Sequence, residues 1–106
     1  MENKADSARY RTFKEFYPFY LNEHSNAICR RLHFTGSSLI ILFLLAAVVS
    51  GTWNLLWWIP VIGYGFAWIG HFFFEHNRPA TFKYPLFSLL GDWVMFRDML
   101  IGRVHW

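Results

Sequence analysis

Two long apolar runs dominate the chain, each flanked by polar sequence. The first covers residues 34–50, with Thr35, Gly36, Ser37 and Ser38 near its start and an unbroken apolar stretch over 39–49. That stretch alone is short for a bilayer, but 35–51 reaches the ~17 residues that a crossing helix needs. The second run, 53–74, carries no formal charge when His71 is neutral and is long enough to cross on its own. Ser50, Gly51, Thr52, Trp53 and Asn54 form an uncharged break between them. The pattern predicts a transmembrane helical hairpin turning near Gly51 and Thr52. Pro60 is a candidate kink, and Gly63, Gly65 and Gly70 leave room for close helix contact.

The flanking segments follow other patterns. Residues 10–32 mix Phe, Tyr, Ile and Leu with Arg, Lys, Glu and Asn, which predicts an amphipathic helix at the interface with Pro18 near its start or at a kink. Phe16, Phe19, Tyr20 and Glu23 recur there at helical spacing. Pro79 disfavours helical backbone at Arg78, so Asn77, Arg78, Pro79 and Ala80 end the second run. Residues 84–101 predict another helix with Pro85 in its first turn. Its Ser88, Asp92, Arg97 and Asp98 favour an amphipathic helix beside the hairpin over a third span. Residues 1–8 are polar and expected to fray. The fold class expected is an all-α membrane protein of one domain, 1–106, in which amphipathic or interfacial helices flank a transmembrane hairpin.

Composition strengthens this picture. The chain is 55% hydrophobic and only 16% charged, too apolar for an ordinary small soluble domain. Its 6 Trp and 5 Tyr suit interfacial anchoring. The net charge is +3, but the basic residues gather beside the apolar runs, which fits an anionic membrane surface better than nucleic acid. No nucleic-acid-binding motif is visible. Arg30 and Arg31 precede the first run, and Arg78 and Lys83 follow the second. By the positive-inside tendency both termini face the cytoplasm, in a bacterial inner membrane or an endoplasmic reticulum membrane according to source. Cys29 is the single cysteine, so no internal disulfide forms. The polar, charged start is not the pattern of a signal peptide.

The histidines bring in chemistry. His24 and His33 precede the first run, whereas His71 and His76 close the second. Thr52 lies midway in sequence between His33 and His71, so at ~1.5 Å rise per residue each stands about 28 Å from the turn. A folded hairpin brings both to one depth, and imidazoles gathered at one depth are most simply a metal site. Neither pair faces one way on a straight helix, so the site must form across helices, with breaks expected near 34–36 and at Pro79. His71 lies within an apolar run, where ionisable groups are functional candidates by default. His105 falls outside the cluster. An all-imidazole site suits iron, zinc or copper. Glu23, Glu75 and Asp92 are the carboxylates placed to orient imidazoles by hydrogen bonding. The alternative for Glu23 and Glu75 is a solvated charge or a pair with Arg30, Arg31, Arg78 or Arg97. A Glu-His pair followed closely by Asn occurs twice, at Glu23, His24 and Asn26 and at Glu75, His76 and Asn77, which is too little to establish a duplication. No nucleotide-binding glycine loop, C-x-x-C or Ser-His-Asp signature is present.

The same residues carry a family resemblance. Phe16-Tyr17-Pro18-Phe19-Tyr20-Leu21-Asn22-Glu23-His24, then Arg30-Arg31-Leu32-His33-Phe34-Thr35-Gly36, resembles the opening motif of the small membrane 2-hydroxy fatty acid dioxygenase family, the 2-hydroxy-palmitic acid dioxygenase-like proteins. The second motif is Gly70-His71-Phe72-Phe73-Phe74-Glu75-His76-Asn77-Arg78-Pro79-Ala80, and the likeness continues through Gly91 and Asp92. The resemblance implies an Fe(II)-dependent membrane dioxygenase that shortens long-chain 2-hydroxy fatty acids by one carbon, an α-oxidation, with O2 as cosubstrate. His24, His33, His71 and His76 match the family's histidine positions and would be the metal ligands. Electron counting agrees. Converting a 2-hydroxy acid to the acid one carbon shorter, with carbon dioxide released, removes four electrons, and reducing O2 to water accepts four. No nicotinamide, flavin or 2-oxoglutarate is needed. Arg31 or Arg78 could hold the substrate carboxylate, or serve only as topology charges. The competing functions are a non-enzymatic haem or metal carrier using the same histidines, and a metal-free membrane scaffold.

Overall fold

The computed structural model describes residues 9–106, and no strand occurs among the described residues. The N-terminus expected to fray, 1–8, lies outside them. Helix α1 (Phe13–Asn22) starts at Thr12, whose hydroxyl accepts the Glu15 N–H at 3.2 Å. Pro18 falls inside α1 rather than at its start and cannot donate to the Lys14 carbonyl. Helix α2 (Ala27–Ser50) starts at Asn26, whose Oδ1 accepts from the Ile28 and Cys29 amides at 2.8 and 3.2 Å. Asn26 therefore divides the single amphipathic helix expected over 10–32 into two. An Asn side chain that satisfies two orphan amides favours starting a new helix over continuing the old one.

Helix α2 then runs without interruption through 34–36, where the sequence suggested a break. The polar residues there are absorbed: Ser38 donates to the Phe34 carbonyl at 2.9 Å, and a Cβ on Gly36 would sit 3.0 Å from the Phe66 Cβ. The helix stops at Gly51, which takes the left-handed conformation (φ 70°) suited to glycine at this cap. The return limb of the hairpin begins as a 3-10 turn, Trp53–Trp57, and continues as α3 (Trp58–Ile69). Pro60 lies in the first turn of α3, just after the 3-10 turn, where a helix start leaves amides without intrahelical acceptors. Gly70 meets the Cys29 side chain closely, whereas no atom lies within 4 Å of a Cβ built at Gly65. A π-helical turn, Gly70–Glu75, follows α3, and a 3-10 turn, Ala80–Phe82, leads to α4 (Pro85–Leu100).

Two packing regimes result. Phe16, Tyr20, Ala80, Tyr84, Met95 and Met99 form a buried core where α1, the Ala80–Phe82 turn and α4 meet. Gly91 lets the Tyr20 ring approach α4, since a Cβ there would lie 3.0 Å from ring carbons. Away from this head, the hairpin leaves Leu42, Leu45, Val48, Val49, Trp57 and Val61 exposed, with Val49 86% and Trp57 79% accessible. The segments Ala27–Ser50 and Trp53–Glu75 are both long and apolar enough to cross a membrane. A hairpin that uncovers this much apolar surface is suited to lipid contact. The chain is thus an all-α fold consistent with a membrane protein.

Candidate metal centre

Three short devices bring the histidines together. The turn after α1 is tied down by Arg30, whose guanidinium donates to the His24 and Ser25 carbonyls at 3.0 and 2.8 Å. Glu75 reaches the same turn, accepting from Ser25 Oγ at 3.2 Å and from the Asn26 amide. Gly70 removes the last obstacle between the π-helical turn and α2, because a Cβ there would stand 2.8 Å from Cys29 Sγ. His24, His33 and His71 are consequently 1%, 7% and 1% exposed.

Their rings point inward through one kind of nitrogen. His24 Nε2 lies 3.1 Å from His33 Nε2 and 2.9 Å from His71 Nε2. Each Nδ1 faces an oxygen: the Tyr20 carbonyl at 2.7 Å for His24, the Cys29 carbonyl at 3.0 Å for His33, and Asn77 Oδ1 at 2.7 Å for His71. The Asn77 amide is oriented by its own Nδ2, which donates to the Glu23 carbonyl at 3.1 Å. Two of these acceptors are carbonyls and the third is fixed as one, so in neutral rings Nδ1 carries the proton. Three bare Nε2 lone pairs then converge. Burial, reinforced by His33 and His71, pushes the His24 imidazolium well below its ordinary range, so protonation does not relieve the crowding. A shared cation does. Nitrogens held ~2.1 Å from one metal ion at right angles stand about 3.0 Å apart, which the observed separations match.

Cys29 Sγ joins the three histidines in a group whose potential ligand atoms lie within 4.8 Å of one another. It approaches His33 on the Nδ1 side, at 3.8 Å, and fills the space against Gly70. His76 is not part of this group. It is exposed and adopts a left-handed backbone (φ 59°) where the π-helical turn ends. His105 is also exposed.

Over residues 10–104 the chain matches the family model described as 2-hydroxy-palmitic acid dioxygenase Mpo1-like. The chain belongs to this family. No curated protein and no solved structure matches it. A buried histidine cluster that could bind metal accords with the metal use that a dioxygenase family suggests.

In this Mpo1-like chain the cluster opens onto a cavity of about 410 Å³, within the range of small-ligand pockets. Its walls come from both hairpin helices and α4, and include Ile40, Ile59, Phe66, Leu86 and Leu89. Asp92 and Tyr20 also line it. The Tyr20 hydroxyl donates to Asp92, and its ring stacks on His24 with centroids 4.1 Å apart. Burial pushes the Asp92 carboxyl up to about 6, with the Tyr20 hydroxyl opposing the shift.

The carboxylates therefore act less directly than the sequence suggested. Asp92 reaches His24 through Tyr20, Glu75 secures the turn that carries His24, and Glu23 supports Asn77 through its backbone carbonyl. Burial, then the neighbouring Glu75, raises the Glu23 carboxyl above its ordinary range. Neither arginine considered for the substrate carboxylate lines the cavity. Arg31 donates to the Trp106 carbonyl at 3.1 Å and lies over its ring, while Arg78 is exposed. Tyr20 and Asn77 contact the clustered histidines directly, a placement that sequence reasoning passed over. The repeated Glu-His-Asn pattern held a clue, because one Asn caps α2 and the other orients His71.

Proposed function

We propose that the protein is an Fe(II)-dependent dioxygenase that converts a long-chain 2-hydroxy fatty acid and O2 into the acid one carbon shorter, carbon dioxide and water. The carrying observation is the convergence of three Nε2 atoms, each with its Nδ1 committed to an oxygen acceptor. Family membership supports the substrate class. His24, His33 and His71 are the ligands in this reading, with His76 outside the set. Fe(II), when bound, supplies redox chemistry toward O2 that zinc lacks. The protein's part is to keep the three imidazoles neutral and aligned, to hold Tyr20 against His24, and to offer the acyl chain a largely apolar cavity. The four electrons leaving the 2-hydroxy acid equal the four that O2 accepts, so no organic reductant enters.

Both termini and the site face the cytoplasm in this reading. It is supported by the absence of Lys and Arg between Arg31 and Arg78. The test is anaerobic purification with iron restored, followed by O2 uptake and mass spectrometry with 2-hydroxy acids of several chain lengths. The expected result is one O2 consumed per shortened acid, with the non-hydroxylated acid a poor substrate. Iron-loaded protein that yields no shortened acid at any chain length would overturn the enzyme and favour a metal carrier. A strong visible absorption band from the purified protein would identify haem instead.

A further inference from the structure

The wall that α4 presents to the cavity includes Pro85, Ser88, Leu89, Asp92 and Trp93, a helical stripe of one residue or pair per turn. Ser88 is 4% exposed, and its Oγ is the one buried side-chain polar atom without a hydrogen-bond partner among the described residues. Two other helical serines behave differently. Ser38 and Ser50 return their hydroxyls to the carbonyls of Phe34 and Ala46, four residues back, at 2.9 and 2.5 Å. Ser88 has the same helical option and does not use it. A buried hydroxyl left unpaired is costly, and an alanine would fit the helix better, so its presence calls for a partner from the cavity.

The surroundings specify that partner. Among the described residues no Lys or Arg lines the cavity, so an acid entering it relies on neutral donors for hydrogen bonds from them. Ser88 stands one helical turn from Asp92, which accepts the hydroxyl of the same Tyr20 that stacks on His24. The donor is thus on the wall leading toward the histidines, among aliphatic residues that suit an acyl chain.

We propose that the Ser88 hydroxyl donates to the carboxylate of the fatty acid and sets its position in the cavity. The identity of the ligand rests on the dioxygenase reading. Ser88 is a neutral donor, which suits an anionic head in a cavity whose lining, among the described residues, lacks Lys and Arg.

The test compares iron-loaded wild type with Ser88→Ala and Ser88→Thr, kept free of O2. Quenching of tryptophan fluorescence, with Trp68 and Trp93 on the cavity wall, reads the binding of 2-hydroxyhexadecanoate, hexadecanoate and hexadecan-1-ol. Ser88→Ala should keep its iron and unfold at the same or a higher temperature without ligand, because it removes an unpaired hydroxyl. It should bind both acids about tenfold more weakly, bind the alcohol as wild type does, and Ser88→Thr should recover most of the loss. Equal affinity of Ser88→Ala and wild type for the acids would overturn the assignment while leaving the dioxygenase reading intact. So would a loss confined to the 2-hydroxy acid, or one shared by the alcohol. Failure of the wild type to bind either acid would remove the dioxygenase reading and this proposal with it.

Discussion

At the residue scale, the three imidazoles depend on three oxygens, of which only Asn77 Oδ1 belongs to a side chain. It is therefore the one acceptor that substitution can remove. Asn77→Ala frees His71 Nδ1 and should weaken metal binding by about 10–100-fold, as loss of a ligand's hydrogen-bond partner typically does. Competition with a calibrated chelator measures this, and Asn77→Asp, which keeps an acceptor, should retain more affinity than the alanine. His24→Ala, His33→Ala and His71→Ala should each lose bound metal in elemental analysis. His76→Ala and His105→Ala should keep it, because both rings are exposed. Metal loss in His76→Ala as severe as in His71→Ala would return it to the ligand set. The sequence marked His24, His33 and His71 as candidates, but it could not separate them from His76. Separation comes with the left-handed backbone at residue 76, a conformation uncommon for a non-glycine residue.

At the element scale, the close approach of the π-helical turn to α2 is set by a single missing Cβ. Gly70→Ala places a methyl 2.8 Å from Cys29 Sγ and 3.3 Å from its Cα. The cost should be about 1–3 kcal/mol of stability, the usual range for overpacking. Metal affinity should fall with it, since His71 is the next residue. Thermal unfolding and metal retention check both effects, and adding Cys29→Ala should recover part of each because it removes the nearest atom. Full additivity of the two substitutions would show that the contact does not separate the segments. The elements themselves were partly legible. The hairpin turn at Gly51 and the helix behind Pro85 follow from strong local rules. The division between α1 and α2 was not foreseen, because Asn26 in an amphipathic pattern reads equally as a polar face or as a cap. The π-helical turn has no sequence rule of its own.

At the scale of the whole molecule, an aromatic helical head sits at the open end of an apolar hairpin, and the histidine cluster lies where they join. His33 and His71 stand about 28 Å from the hairpin turn along helices, close to the ~30 Å thickness of a hydrocarbon core. The site thus belongs at a membrane boundary, where an acid can keep its tail in apolar surroundings. Labelling Asn54→Cys in a Cys29→Ser background tests the orientation: the thiol should react with an impermeant reagent outside intact cells or, in a eukaryotic host, on the lumenal side of microsomes. Labelling only from the cytoplasm would reverse the proposed topology. The sequence by itself determined the hairpin, its apolar surface and the common depth of His33 and His71. These are one-dimensional properties, set by a fixed helical rise and by the run of apolar residues that lipid requires. Only the tertiary structure decided which nitrogens converge, that His76 stays exposed outside the cluster, that Arg31 and Arg78 stay outside the cavity, and that Ser88 is left unpaired within it. Each Nδ1 acceptor is local, four residues before His24 and His33 and six after His71, but the Nε2 atoms of His24 and His71 meet across 47 residues and Asp92 holds Tyr20 across 72, and no local pattern encodes those meetings.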